Sequence, residues 1–251
     1  MDDRSLAEWL ALLETRHPSE IEMGLGRVSD VWQSLQVGRP KYNGLAITVA
    51  GTNGKGSCLT CMQAVLLEHG YSVGLFTSPH FLIYNERICL AGEPVSDALI
   101  VAAFEEIEAH RGDVSLTYFE FGTLAALWLM QQEELDFAIL EVGLGGRLDA
   151  VNIIDADLVH LTSIGIDHQS WLGDTREKIG FEKAGVLREG IPVVCNDSEP
   201  PQSVLDEISR LHCKSLQYKR DFEMQATDSI DSYIWKGLNR EFNLTPKLSG
   251  V

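Results

Sequence analysis

An α/β fold, with a parallel sheet flanked by helices, follows from three features of this 251-residue chain. Short apolar runs alternate with segments of helical spacing. The first clear run, Leu45 to Ala50, feeds directly into a glycine-rich loop. Residues able to do chemistry then recur just beyond the ends of the runs, where parallel sheets bind their ligands.

The elements read in order as follows. Residues 5–16 carry the spacing of a short amphipathic helix, followed by a loop with Pro18 and then Met23-Gly24-Leu25-Gly26-Arg27. After the strand at 45–50, Cys58 to Gly70 reads as a helix. Ser72 to Thr77 is a second apolar run, ending at Ser78-Pro79-His80. A helix over 97–110 is started by the Ser96/Asp97 cap signal. Another runs from about Phe121 to Glu134 and is apolar on most sides, which predicts burial. Phe137 to Val142, Leu158 to Ile164 and Ile191 to Cys195 read as buried strands. Past about residue 215 the pattern becomes shorter and more polar. Tyr233-Ile234-Trp235 is a candidate strand there, and Asn239 to Val251 shows no clear element. The expectation is one unit over 1–251, with 217–251 as a poorly defined tail.

Composition narrows the function. A formal net charge of −17 argues against a nucleic-acid or anionic-membrane surface. Any phosphate-handling site must then be a local island of positive charge, for which Lys55, Arg87, Arg147 and Lys183 are the candidates. The N-terminus is acidic and shows no signal peptide, and no apolar run approaches the length of a membrane span. Five scattered cysteines fit a reduced, cytoplasmic protein. Cys58 and Cys61 form a C-x-x-C, but no second pair or nearby histidine completes a metal site, so packing on a buried helix face is expected.

Gly51-Thr52-Asn53-Gly54-Lys55-Gly56-Ser57, between strand and helix, has the context of a phosphate-binding loop. Glycines let backbone N–H groups turn around phosphate oxygens, a lysine supplies a point charge, and a hydroxyl can reach Mg²⁺. The strict G-x-x-x-x-G-K-[ST] pattern fails, because the loop is shorter and Gly56 separates Lys55 from Ser57. A plain glycine turn would need neither the lysine nor the hydroxyl. Glu141 closes its strand where a carboxylate faces such a loop and can hold Mg²⁺. In Gly143-Leu144-Gly145-Gly146-Arg147 the glycines allow close backbone approach, and Arg147 could meet an anion or simply be solvated. His168, beside Asp167, follows the run 158–164 and is a candidate metal ligand. Lys183 sits near a helix end at Gly185, where the helix dipole alone would account for it.

Together these motifs resemble the dihydrofolate synthase/folylpolyglutamate synthase family, relatives of the Mur peptide ligases. The glycine loop marks only the superfamily. More specific are Thr77-Ser78-Pro79-His80 with Tyr84-Asn85-Glu86-Arg87-Ile88, the Glu141-to-Ala150 segment, and Asp167-His168 with Glu182-Lys183-Ala184-Gly185. The resemblance implies a Mur-ligase-like central domain and ATP-dependent amide formation: a carboxylate of dihydropteroate or of a folate glutamate attacks the γ-phosphate, and the amine of L-glutamate displaces phosphate from the acyl phosphate. It implies that Thr52, Asn53, Gly54, Lys55, Gly56 and Ser57 contact ATP. Ser57, Ser78, Glu141 and His168 would hold Mg²⁺, and Lys183 would be carbamylated and support the metal, so that Lys55, His168 and Lys183 carry the catalysis. Gly24, Leu25, Gly26, Arg27, Thr117, Tyr118, Phe119, Glu120, Leu148, Asp149 and Ala150 would cradle the pterin substrate.

Family members are longer, with a C-terminal Rossmann-like domain that is expected to be absent here, and the full-length protein is expected to be a monomer. Ile83 stands where many relatives have a basic residue, so the substrate contacts of that loop do not carry over. Three other readings compete: a fragment that only binds Mg²⁺-nucleotide or pterin, a Mur-type peptide ligase, and a generic P-loop kinase or GTPase. The loop at 77–88 argues against the second, and the loop spacing with no guanine-reading N-K-x-D motif argues against the third.

Overall fold

The computed structural model describes residues 4–19, 21–36, 44–227 and 232–245. Helices α1 (Leu6–Arg16) and α2 (Gly26–Leu35) precede strand β1 (Leu45–Ala50). Then follow α3 (Lys55–Glu68), β2 (Val73–Phe76), the short edge strands β3 (Ile88–Leu90) and β4 (Glu93–Pro94), α4 (Asp97–His110), α5 (Tyr118–Gln131) and β5 (Phe137–Glu141). The chain continues through β6 (Leu158–Leu161), α6 (Gln169–Leu172), α7 (Arg176–Ala184), β7 (Pro192–Cys195), α8 (Gln202–Arg210) and β8 (Lys214–Gln217). It ends in β9 (Phe222–Ala226), β10 (Tyr233–Gly237) and β11 (Arg240–Leu244).

The main sheet has the order β4-β3-β2-β5-β1-β6-β7-β8. From β2 to β8 every neighbouring pair is parallel, while β2–β3 and β3–β4 are antiparallel, so the sheet is mixed and mostly parallel. The chain leaves β1 to one side for β2 and β5, then crosses to the other for β6, β7 and β8. That reversal places a crevice at the carboxyl end of β1.

Alternation along the strands assigns the faces. Ile47, Val49, Val73, Leu75 and Ile139 turn to one side and pack with Leu59 of α3. Phe76, Ala138 and Leu140 turn to the other and join a cluster with Trp9, Leu13, Val28, Val31, Phe104 and Phe121 from α1, α2, α4 and α5. Trp9, Phe104 and Phe121 meet edge-on or tilted, with ring centroids 5.3–6.2 Å apart. A third cluster gathers Val159, Leu161, Val193, Ile179 and Val204 beneath α7 and α8.

Several expectations shift. The sequence reading assigns no element between Arg27 and Leu45, yet Gly26–Leu35 is a helix, with Val28, Val31 and Leu35 buried at helical spacing. It also passed over α8, whose inward residues are Val204 and Ile208. The helix read from Phe121 begins at Tyr118, because the Thr117 hydroxyl accepts from Glu120 N and the Glu120 carboxylate accepts from Thr117 N. Likewise α3 begins at Lys55, not Cys58. The stretch from Asn239 does contain an element: β9, β10 and β11 form an antiparallel sheet through Leu244, and Leu238 and Asn239 turn between β10 and β11 with positive φ, as a two-residue hairpin turn requires. Residues 246–251 lie outside the described residues. The cysteine reading is also corrected: Cys61 is exposed and Cys58 only half-buried, because Leu59 and Gln63 take the inner face of α3.

Trp9 is fully buried against Phe104 and Phe121. Trp9→Ala should therefore cost about 3–5 kcal/mol, read as a lower urea midpoint at unchanged m-value.

Candidate active site

The loop after β1 is shaped by Gly51. Its φ is +152°, and a Cβ there would lie 1.8 Å from Thr162 Oγ1, so only glycine fits. Gly54, at φ +83°, turns the chain into α3 and leaves the N–H groups of the first helical turn facing the loop. Lys55, Gly56 and Ser57 thus belong to the helix, not the loop. The loop is stitched to the segment after β6. Thr52 N donates to Ser163 O at 2.6 Å, Gly165 N donates to Thr52 Oγ1 at 3.0 Å, and Asn53 N donates to Ser163 Oγ at 3.3 Å. Asn53, Gly54 and Ser57 are exposed, while Thr52, Lys55 and Gly56 are half-buried.

Two lysines converge on one carbonyl. Lys183 Nζ donates to Gly51 O at 2.9 Å, and Lys55 Nζ reaches the same oxygen at 3.2 Å. Lys183 is buried, on α7. Its ammonium is pushed down to about 8, first by desolvation and then by the Lys55 charge, with Asp167 and Asp149 opposing. Asp149 is buried too, and burial raises its carboxyl to about 6 against the hydrogen bonds it accepts from Leu144 N (2.8 Å) and Val151 N (3.0 Å).

At the end of β5, buried Glu141 accepts a short hydrogen bond from the Thr77 hydroxyl and a 3.1 Å bond from Ser78 N. This fixes the loop that follows β2, which contains a cis Ser78–Pro79 bond. Glu86 holds the next stretch by accepting from Phe81, Leu82 and Ile83 N–H groups at 2.7–2.9 Å, leaving those three side chains exposed. Two of the four candidate cations are already engaged. Arg87 lies over the Tyr84 and Tyr118 rings and donates from Nε to His80 Nδ1 at 2.9 Å. Arg147 pairs with Glu182 at 2.9 Å and lies over Phe181.

The three segments expected to cradle the pterin meet. Gly24 N donates to Leu148 O at 3.3 Å, and Arg27 Nη2 bonds Glu120 Oε1 at 2.8 Å across to the start of α5. Asp149 and Ala150 are buried beneath this junction, Leu25 stands at the start of α2, and Phe119 packs on Phe76 while Tyr118 packs on Tyr84. His168 is less engaged: it adopts a left-handed conformation at φ +49°, is about half exposed, and stands 3.7 Å from Asp167. Among the described residues, no three His, Cys, Asp or Glu side chains cluster as a metal site. Sequence reasoning missed Thr77 as a partner of Glu141, Ser163 as the prop of the loop, and Glu182 as the partner of Arg147. Hydroxyls and a carboxylate far away in sequence gave no local signal of these pairings.

A mostly parallel α/β sheet with a glycine loop and two lysines at its strand-end crevice is the class these features define. No protein-family model matches the chain. It is 46% identical over 231 residues to a Haemophilus influenzae dihydrofolate synthase/folylpolyglutamate synthase, covering 92% of this chain and 52% of that protein. Its fold matches an Escherichia coli FolC structure in complex with DHPP and ADP at TM-score 0.90 and 42% identity, over 96% of this chain and 57% of that one. A bifunctional folylpolyglutamate synthase/dihydrofolate synthase with Mn, AMPPNP and L-glutamate bound matches at TM-score 0.85 and 45% identity, over 96% and 57%. By sequence and fold the chain is similar to about half of each of these dihydrofolate synthase/folylpolyglutamate synthases. It spans about half the length of the curated relatives it matches.

The lysine site predicts a pH signature. With Lys183 at about 8 in the fold and an ordinary value of 10.5, the unfolded chain binds the extra proton between those pH values. Stability should gain up to about 1.4 kcal/mol per pH unit across that window from this group. Unfolding midpoints of the wild type and Lys183→Met, measured from pH 7 to pH 11, should differ by that rising component.

Proposed function

We propose that the chain is the nucleotide- and pterin-binding part of an ATP-dependent ligase that joins L-glutamate to dihydropteroate or to folate glutamates. The observation that carries this reading is the shared edge of β1, β2 and β5. There a glycine loop with two lysines stands beside Glu141, which holds the Ser78 loop. The relatives' complexes with DHPP, ADP and L-glutamate support the substrate classes.

The residues present fit Mg²⁺. Ser57, Ser78 and Glu141 offer hard oxygen donors and His168 an imidazole. A single buried carboxylate with hydroxyls suits an ion that keeps waters and phosphate oxygens as its other ligands. Among the described residues, no cluster of three His, Cys, Asp or Glu side chains offers the donor set zinc takes. When bound, Mg²⁺ neutralises charge on the transferring phosphoryl group. The first turn of α3, with Thr52 to Ser57, receives the phosphates, and Lys55 supplies a fixed positive charge. Lys183, with its free base populated near neutral pH, has the nucleophilicity that carbamylation needs. The 24–27, 117–120 and 148–150 segments hold the pterin so that its carboxylate meets the γ-phosphoryl group, and glutamate's amine then displaces phosphate. We read the protein as cytoplasmic and without a nucleic-acid or membrane partner. Among the described residues, no helix is long and apolar enough to cross a membrane.

A second reading is nucleotide or pterin binding by this chain without turnover. ADP release with Mg²⁺-ATP, dihydropteroate and L-glutamate, added singly and together, separates the two. Release that needs all three supports the ligase. ADP or pterin binding without release supports the binding reading, and neither binding nor release in a folded chain overturns both. If release occurs, Lys55→Ala and His168→Ala should each lower it about a hundredfold or more with unchanged circular dichroism. Full turnover in either variant would remove that residue from the mechanism.

A further inference from the structure

Directly behind the phosphate loop, α3 carries Cys58 in its first turn and Cys61 one turn on. Residues three apart on a helix are surface neighbours. Here they share the outer stripe with exposed Val65, while Leu59 and Gln63 point inward. Both thiols are free: Cys61 is exposed and Cys58 half-buried. The other three cysteines differ in setting: Cys195 is buried in β7, Cys89 is half-buried in β3, and Cys213 is half-buried between α8 and β8.

We propose that Cys58 and Cys61 form a dithiol that a small-molecule disulfide oxidises to an intramolecular disulfide, and that closing this bond deforms the loop-to-helix junction. The exposed Cys61 thiolate attacks the disulfide RSSR, forming Cys61–S–S–R and releasing RS⁻. The Cys58 thiolate then attacks the Cys61 sulfur, forming Cys58–S–S–Cys61 and releasing a second RS⁻. Two protons leave the two thiols, and one RSSR is reduced for each protein disulfide made.

The deformation follows from geometry. Cβ atoms three apart on a helix stand about 5–6 Å from each other, whereas a disulfide requires about 3.5–4.5 Å. The turn must therefore close by about 1–2 Å. Cys58 N donates to Gly54 O at 3.0 Å, the bond that starts α3. Gly54 and Gly56 flank Lys55, so the backbone most able to yield is the backbone that presents N–H groups to the loop. Oxidation then loosens the anion-binding end of α3.

The test is incubation of the reduced chain with excess oxidised glutathione, followed by alkylation and peptide mapping. The expected result is loss of two of the five thiols, a mass lower by about 2 Da, a cross-link between Cys58 and Cys61, and reversal by dithiothreitol. Cys58→Ser should trap a glutathione adduct on Cys61, and Cys61→Ser should give no cross-link. Amide exchange over residues 55–58 should be faster in the oxidised form. Five remaining thiols, a persistent adduct on the wild type, a different cysteine pair, or unchanged exchange would each overturn the proposal. A final arm rests on the nucleotide reading: ADP affinity should fall about fivefold or more on oxidation. Absence of ADP binding to the reduced chain would sink that reading alone, because cross-link and exchange are read without nucleotide.

Discussion

Everything at the candidate site hangs on the backbone of Gly51. Its conformation and the 1.8 Å clearance to Thr162 exclude any side chain, so β1 and β6 can run side by side up to the loop. The same residue's carbonyl collects both Lys55 and Lys183. A Cβ at this point would have to displace Thr162, just past the end of β6, and with it Ser163 and Gly165, which hold Asn53 and Thr52. One steric constraint thus fixes the loop's path, its props and the position of its two charges.

Those charges stand out against an acidic chain of net charge −17. Two cations sharing one carbonyl in a partly dry setting repel each other, which is part of why Lys183 is pushed down while buried. A phosphate arriving at the loop would relieve that repulsion, so the arrangement favours an anion without requiring a basic surface. The nearby carboxylates follow the same logic. Glu141 spends its charge on two donors from the Ser78 loop, whereas Asp149 accepts from backbone N–H groups and sits where burial favours its neutral form.

The sheet strands and the glycine loop were legible because they depend on local pattern: continuous apolar runs, then glycines. The strands of the core, β1, β2, β5, β6 and β7, fall within the runs read for them. What escaped depends on signals that are weak or distant. Helix α2 begins at Gly26, and its N-cap Leu25 makes no side-chain cap bond. Helix α8 begins after Pro201, likewise with no side-chain cap. The capping box at Thr117 and Glu120 was present in the sequence, but apolar density drew the reading to Phe121. At the site, Lys55, Glu141 and Lys183 fall at or beside the crevice the strand ends define. The bonds that frame them run from Thr77 to Glu141, from the loop to Ser163 and from Arg147 to Glu182, and they exist only once segments far apart in sequence are adjacent.

The cations around the candidate site divide their labour. Arg87 is spent on two tyrosine rings and His80, Arg147 on Glu182 and Phe181, and Arg27 on Glu22 and Glu120. A guanidinium binds anions through a planar fork and suits a fixed, bidentate partner. Here the forks lock protein to protein, joining the 24–27 segment to α5 and the 143–150 segment to α7. Lys55 is left at the loop, and an ammonium acts as a point charge that can follow a moving oxygen. That is the better choice where a phosphoryl group must be neutralised in more than one position along a transfer. The arginines therefore build the frame, and on the ligase reading Lys55 is the cation left to meet the phosphates.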